Sequence, residues 1–158
     1  VAKMHYNPDG TIEEVPYWQD TKLEQIDNFN PYRRVEAETM AWGYGLKTGN
    51  FENGGLFVTD IDNDEYLCIR GVDFGKKGAR KFSGSVACVE EGGKIEIRLD
   101  GVDGPVVGCV SVSATGGMDI YKQMSCKIKN AKGVHDLYFC FKGEKGKELF
   151  NVDYWEFE

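Results

Sequence analysis

The sequence predicts an all-β protein, a two-sheet β-sandwich of the jelly-roll kind. Three observations predict it. Apolar and polar residues alternate with a period of two nearly everywhere from Tyr32 onward. Gly-rich and Asp-rich segments interrupt the alternation every ~8–15 residues, the spacing of turns in a sandwich or barrel. No segment carries a 3.6-residue apolar period over a helical length.

The strands follow in order. YRRVEAET, from Tyr32, alternates and forms the first. GGLFVTDI and EYLCIRGVDF come next, then KFSGSVACVE, KIEIRLD, GPVVGCVSVS, KQMSCKIK, GVHDLYFCFKG and LFNVDYWEFE. The segments ENGG, DND, FGKKG, EEGG, DGVDG, TGG and KGEKGK supply the turns between them. In KIEIRLD, Ile95, Ile97 and Leu99 point one way and Glu96 and Arg98 the other. In GVHDLYFCFKG, Leu137, Phe139 and Phe141 share a face. One apolar face per strand is what two antiparallel sheets need to enclose a common core. About nine such strands fit a jelly roll.

Residues 1–31 have a different texture. HYNPDGTIEEVPYW carries an Asn-Pro-Asp-Gly turn and a short strand-like piece, and QDTKLEQIDNFNP is polar and reads as a helical turn or a linker. The expected division is a tail or linker over 1–31 and a single module over 32–158, with the boundary near Asn30 or Pro31. Trp18 and Trp155 are expected to pack, Trp155 at a sheet edge. The opening VAKMHYNPDG has neither the basic nor the apolar region of a signal peptide. The chain therefore reads as a mature segment or a piece cut from something larger. No apolar run approaches the ~20 residues of a membrane-spanning helix.

The net charge of -7 and pI of 4.9 argue against a nucleic acid or an anionic membrane as partner, since both call for a basic surface. Neutral polysaccharides are compatible with it. Cys68, Cys88, Cys109, Cys126 and Cys140 form no CxxC pair, so a structural zinc site is not expected, and the odd count leaves at least one thiol free. Four of the five sit in strand-like apolar runs and are read as small buried core residues.

Two stretches carry the functional signal. Glu36 and Glu38 alternate on one face of the first strand, with Val35 and Ala37 facing inward; Asn151 and Asp153 alternate on the last. If these strands pair, three carboxylates meet, a donor set of hard oxygens suited to Ca²⁺. A solvated acidic edge is the alternative, although paired carboxylates without a cation repel. Catalytic signatures are missing: there is no GxSxG, HExxH or P-loop. His135 and Asp136 are adjacent on a strand and face opposite ways, so they cannot form a relay. Twenty-six acidic residues make some carboxylate pair inevitable, and the chain is read as non-catalytic.

The segments VEAET, GGLFVTDIDNDEYLCIRGVDFG, GARKFSGSVA, GGKIEIRLD, TGG, GVHDLYFCFKG and LFNVDYWEFE together resemble family 6 carbohydrate-binding modules over residues 32–158. The resemblance implies a β-sandwich jelly roll, a structural Ca²⁺ and non-catalytic binding of plant or microbial polysaccharide. It places calcium ligands at Glu36, Glu38 and Asp153 and adds a backbone carbonyl near Glu52. It also implies a sugar cleft among loops at one end of the sandwich, where Asn151 matches the family's asparagine. The two aromatic positions of that cleft fall on Asp60 and on Met118, directly after TGG. Trp42 and Tyr44 in MAWGYG, and Tyr121, are the substitutes at hand, with packing roles as their alternatives. A second family cleft, on the concave face of one sheet, would include Tyr66, Glu96 and Arg98; an ordinary exposed strand face is the alternative.

HYNPDGTIEEVPYW resembles the C-terminal end of family 43 glycoside hydrolases. This implies a xylan-debranching parent enzyme, secreted and extracellular, whose catalytic domain shares the polypeptide. The expected function is to tether that hydrolase to xylan or arabinoxylan. The alternative is a structural accessory domain that packs on the catalytic propeller and stabilises it without binding sugar.

Overall fold

The computed structural model describes residues 5–14 and 27–158, which form eleven strands and no helix. In chain order these are β1 (Val35–Glu36), β2 (Trp42–Tyr44), β3 (Lys47–Asn50), β4 (Leu56–Thr59), β5 (Tyr66–Asp73) and β6 (Lys81–Cys88). Then come β7 (Gly93–Leu99), β8 (Val106–Val112), β9 (Gly117–Lys127), β10 (Val134–Lys142) and β11 (Asn151–Phe157). One sheet runs β3-β4-β11-β6-β9, with β1 also paired to β11; the other runs β2-β5-β10-β7-β8. The pairings between these strands are antiparallel, as a sandwich of hairpins and long returns requires.

Every segment read as a strand contributes one. β2 and β3 are the two additions. Both sit at sheet margins and are exposed except at Gly43 and Gly49, which are half-buried. A strand with no buried face has no alternation to display, so the period of two could not reveal it.

The core lies between the sheets. Val58, Val86 and Val152 face inward from one, and Leu67, Leu137, Phe139, Ile95 and Ile97 from the other. Each fully buried side chain of this size contributes about 1.5–3 kcal/mol. Edge-to-face aromatic contacts bind the layers, with Phe82 and Phe139 ring centroids 5.2 Å apart.

Trp155 corrects an expectation. It is fully buried, not at an edge, and meets Phe139 edge-on at 5.3 Å. β11 lies inside its sheet, between β6 on one side and β1 and β4 on the other. The last strand of the chain is inserted centrally, a placement that linear order does not disclose.

The cysteines also depart from the expected pattern. All five are free, and Cys88 joins the core, as Cys126 does in part. Cys68 and Cys140 are buried, yet their neighbours Leu67, Ile69, Phe139 and Phe141 point inward, so both thiols lie on the outer face of the second sheet. Cys109 is exposed.

At the turn between β8 and β9, the Thr115 hydroxyl accepts from Cys88 N at 2.8 Å and lies 2.9 Å from Cys88 O, its acceptor. Thr115→Val should leave the Cys88 amide unmet, while Cys88 O keeps the Thr115 amide at 2.9 Å, and cost ~1–2 kcal/mol, read from the urea midpoint at unchanged slope.

The N-terminal segment forms a small hairpin in which Tyr6 bridges Ile12. Further on, Phe29 bridges Val72 in parallel, packs its ring 6.1 Å from Trp155, and precedes Pro31, whose carbonyl accepts from Phe157 N at 3.0 Å. The chain is thus in contact with both sheets by Phe29. Trp18 and residues 19–26 of the polar stretch lie outside the described residues.

Candidate functional site

The outer face of the β2-β5-β10-β7-β8 sheet carries an aromatic strip. Register places Trp42 opposite Cys68 and Tyr44 opposite Tyr66; Cys68 in turn faces Tyr138, and Tyr66 faces Cys140. Tyr44 and Tyr66 stack at 5.8 Å and 17°, and Tyr138 lies 6.0 Å from Tyr66. Trp42 is 65% exposed and Tyr44 60%, far more than packing aromatics usually are. The same rows continue across β7, where Arg98 faces Tyr138 and Glu96 faces Cys140.

Polar groups on this face are held in place. Arg98 donates to Glu96 at 2.7 and 3.1 Å and to the Gly104 carbonyl at 2.8 Å. The Tyr138 phenol is pushed up to about 12, first by its hydrogen bond with the Cys68 thiol and then by burial, so it is a neutral donor at any working pH. A cavity of about 310 Å³ opens beside the strip, with Tyr44, Tyr66, Asp64, Asp103 and Lys142 in its walls. Glu96, Arg98 and Tyr66 are therefore joined by Trp42, Tyr44 and Tyr138. Tyr138 was not singled out from the sequence. Its signal was an aromatic at a wet-face position of GVHDLYFCFKG, between the inward Leu137 and Phe139.

The other candidates gather at one end of the sandwich. Met118 borders a cavity of about 310 Å³ together with Cys88, Glu90, Glu144, Glu148 and Leu149. Asn151 donates to the Met118 carbonyl at 2.9 Å, while its own Oδ1 is buried without a partner. Asp60 adopts a left-handed φ of 54°, pairs with Lys47 at 2.7 Å, and donates through its amide to Glu148. Tyr121 packs edge-on against Phe51 and Phe57, at 5.4 and 6.1 Å. Burial pushes its phenol up to about 12, with the Asp153 charge adding to the shift and the nearby Asn151 side chain opposing it. Thus Asn151 and Met118 are in contact, Asp60 stands beside Glu148, and Tyr121 belongs to an aromatic cluster. None of these end residues presents an exposed aromatic face.

The carboxylates lie along β11. Val35 pairs with Trp155 and Glu36 with Tyr154, and the Ala37 amide donates to the Asp153 carbonyl at 2.8 Å. A bulge between Val152 and Trp155 displaces Asp153 and Tyr154 relative to β6. β1 stops at Glu36, and a tight turn follows in which Thr39 N donates to Glu36 O and Met40 N to Glu38 O. Glu38 accordingly sits in a turn, not two rungs along a strand. Val58 pairs with Val152, so antiparallel extension carries the start of β4, and the exposed turn holding Glu52, toward the same bulge.

The charges at this point are unbalanced. Arg34 donates to Glu36 at 2.8 Å, reaches Asp153 at 3.5 Å and stacks on Tyr154 at 3.9 Å. Glu38 Oε2 is buried with no hydrogen-bond partner. Burial raises the Asp153 carboxyl above its usual value; Arg34 opposes that and Glu36 reinforces it. Among the described residues, no three His, Cys, Asp or Glu side chains are gathered at metal-binding spacing. The oxygens of Glu36, Glu38 and Asp153 are of the hard kind that calcium takes, and the Arg34 guanidinium supplies the positive charge between Glu36 and Asp153.

Residues 36–158 match the profile of carbohydrate binding module family 6. The chain belongs to that family. The module is also 41% identical over 162 residues to an arabinoxylan arabinofuranohydrolase of Paenibacillus polymyxa, covering 99% of this chain and 25% of that protein. Among solved structures, a family 43 arabinoxylan arabinofuranohydrolase from Bacillus subtilis, in complex with cellotetraose, matches with TM-score 0.87. It is 41% identical over 98% of this chain and 32% of its own. A family 6 module from Clostridium cellulolyticum, in complex with xylose, matches with TM-score 0.77 and 36% identity, over 82% of this chain and 99% of its own. The chain thus spans about a quarter to a third of the hydrolases it matches. Their matches extend through its N-terminal segment, which corresponds to the C-terminal part of those hydrolases. The family is one of binding modules and not of catalysts, and the module has the sandwich the sequence predicted.

Proposed function

We propose that this module anchors a xylan-debranching hydrolase of the same polypeptide to xylan or arabinoxylan, outside the cell. We place the polysaccharide on the outer face of the β2-β5-β10-β7-β8 sheet. The exposed Trp42 and Tyr44 beside Tyr66 carry this reading. A pyranose ring has an apolar face that stacks on such rings, and Glu96, Arg98 and the Tyr138 hydroxyl offer acceptors and donors for its hydroxyls. The end cleft offers Met118 and Asp60 where stacking would call for aromatics. The arabinoxylan-acting relatives and the xylose-bound family member support the choice of glycan. A shallow, open face makes each site weak, and tethering turns weak binding into a raised local enzyme concentration.

Calcium is proposed as a structural ion held by Glu36, Glu38 and Asp153, with a carbonyl near Glu52. It would supply positive charge to the bulge of β11 and pin the chain's early and late strands together.

A second reading draws on the N-terminal hairpin, which leaves Tyr6 65% and Ile12 55% exposed. Such a surface would suit packing on a neighbouring catalytic domain. Under this reading, deleting residues 32–158 from the parent lowers its melting temperature without changing its retention on polysaccharide.

Native affinity electrophoresis in arabinoxylan tests the first reading. Retardation is expected, and Met118→Ala should leave it within about twofold, since Met118 lies outside the sheet face. Migration identical with and without the polymer would overturn the proposal. Loss of retardation in Met118→Ala would move the sugar to the end cleft.

A further inference from the structure

Although the protein as a whole is acidic, seven cations gather in two stretches at one end of the sandwich, with Asp73, Asp100 and Glu158 beside them. Lys76, Lys77, Arg80 and Lys81 lie in residues 74–89, and Lys127, Lys129 and Lys132 in residues 123–134; neither stretch contains an acidic residue. The fold brings them together. The Ala79 amide donates to Ala131 O at 3.0 Å, the Ile128 amide to Arg80 O at 2.8 Å, and the Gly133 amide to Gly75 O at 2.9 Å. Lys81 stands directly opposite Lys127 in the β6–β9 ladder. Lys81 pairs with Glu158; the other six cations make no ion pair with any described residue.

Self-protection of an edge accounts for only part of this. β9 is an edge strand, and a lysine there discourages unwanted pairing. That explains Lys127 but not Lys76, Lys77, Arg80, Lys129 or Lys132, which lie outside the strands. Like charges set directly across a ladder are destabilising. Their concentration in a protein of net charge -7 gives up stability for a surface that attracts anions.

We infer that this end of the sandwich binds the carboxylates of an acidic polysaccharide, a polymer whose sugars carry uronic-acid groups. The inference rests on the reading that the module binds polysaccharide, and adds a charged subsite to it. β5 runs from Tyr66, in the aromatic strip, to Asp73, next to the basic turn, a span of roughly 25 Å for an eight-residue strand. An extended polymer lying along β5 can therefore meet both. Sparse carboxylates suit the rest of the molecule: within a Debye length of ~8 Å they feel the patch and little of the acidic remainder. A densely charged duplex or an anionic membrane would face the whole net negative charge.

The test compares one acidic xylan with the same polymer after reduction of its carboxyl groups to alcohols, with the intact chain at an ionic strength of ~0.15 M. Wild type should bind the carboxylated form about tenfold more tightly, the combined effect of several exposed charge contacts. The preference should disappear in K76Q/K77Q/K127Q/K129Q, persist in the matching arginine variant, and fade at roughly 0.5 M salt. Equal binding of both polymers by wild type, or a preference retained in the glutamine variant, would overturn the inference. So would binding of duplex DNA as tightly as the acidic xylan, which would assign the patch to polyanions in general. Neutral arabinoxylan, run alongside, reports on the sheet-face site: its retention in the glutamine variant with loss of the acidic preference separates the two.

Discussion

Trp42→Ala/Tyr44→Ala should abolish the retention of this module on arabinoxylan. The two side chains are the most exposed large aromatics on the sheet face, and they adjoin Tyr66, with β5 and β10 between them and the Glu96–Arg98 pair of β7. Truncating an aromatic anchor costs about 1–2 kcal/mol of binding, so the pair should cost roughly 2–4 kcal/mol, about thirtyfold or more in Kd. Starting from a weak site, that removes measurable binding in calorimetry. Stability should change little, because the rings contribute mainly to the surface; the urea midpoint should correspond to within ~0.5 kcal/mol of wild type. Tyr44 does stack on Tyr66, so Tyr44→Ala alone also tests whether Tyr66 keeps its place: Tyr44→Phe should then restore most of the affinity. A double variant that folds and still binds within threefold of wild type would remove the sheet face from consideration.

The sequence disclosed the core more readily than the surface. Leu137, Phe139 and Phe141 identify β10 because burial imposes alternation, and that pattern survives in the linear string. The meeting of the first and last strands was also legible, in the alternating carboxylates of VEAET and NVDYW, and β1 does pair with β11. What escaped depended on register and topology. Trp155 is central because β11 is inserted between strands far away in sequence. Tyr138 faces Arg98 and Cys68 only by virtue of pairing on both sides of β10. Cys68 and Cys140 read as core because they sit in apolar runs, but their phase places them under tyrosines on the opposite face. Net charge is a sum over the chain, so it does not display the cations that two separate acid-free stretches bring together.

Removing calcium should lower the melting temperature of the module, and Asp153 determines how that loss depends on pH. If calcium binds only the folded state, a concentration 100 times Kd stabilises by ~2.7 kcal/mol, roughly 5–10 °C for a domain of this size. The carboxyl of Asp153 is raised from its usual 3.8 chiefly by burial, so the fold disfavours its ionised form. For a raised group, the stabilising contribution is complete below the unfolded value and is lost as pH rises through the folded one. In chelator, therefore, Asp153 should contribute stability below about pH 4 that disappears as pH rises past its folded value. With calcium the contribution should reverse, because the cation requires the ionised carboxylate. Asp153→Asn separates the two effects. Without metal it should be no less stable than wild type at pH 7, since it removes a desolvated charge beside Glu36; with calcium it should gain almost nothing. Scanning calorimetry of both proteins, with calcium and with chelator, reads all four values. An unchanged wild-type melting temperature on chelation would show that Arg34, already bridging Glu36 and Asp153, is the only cation this cluster uses.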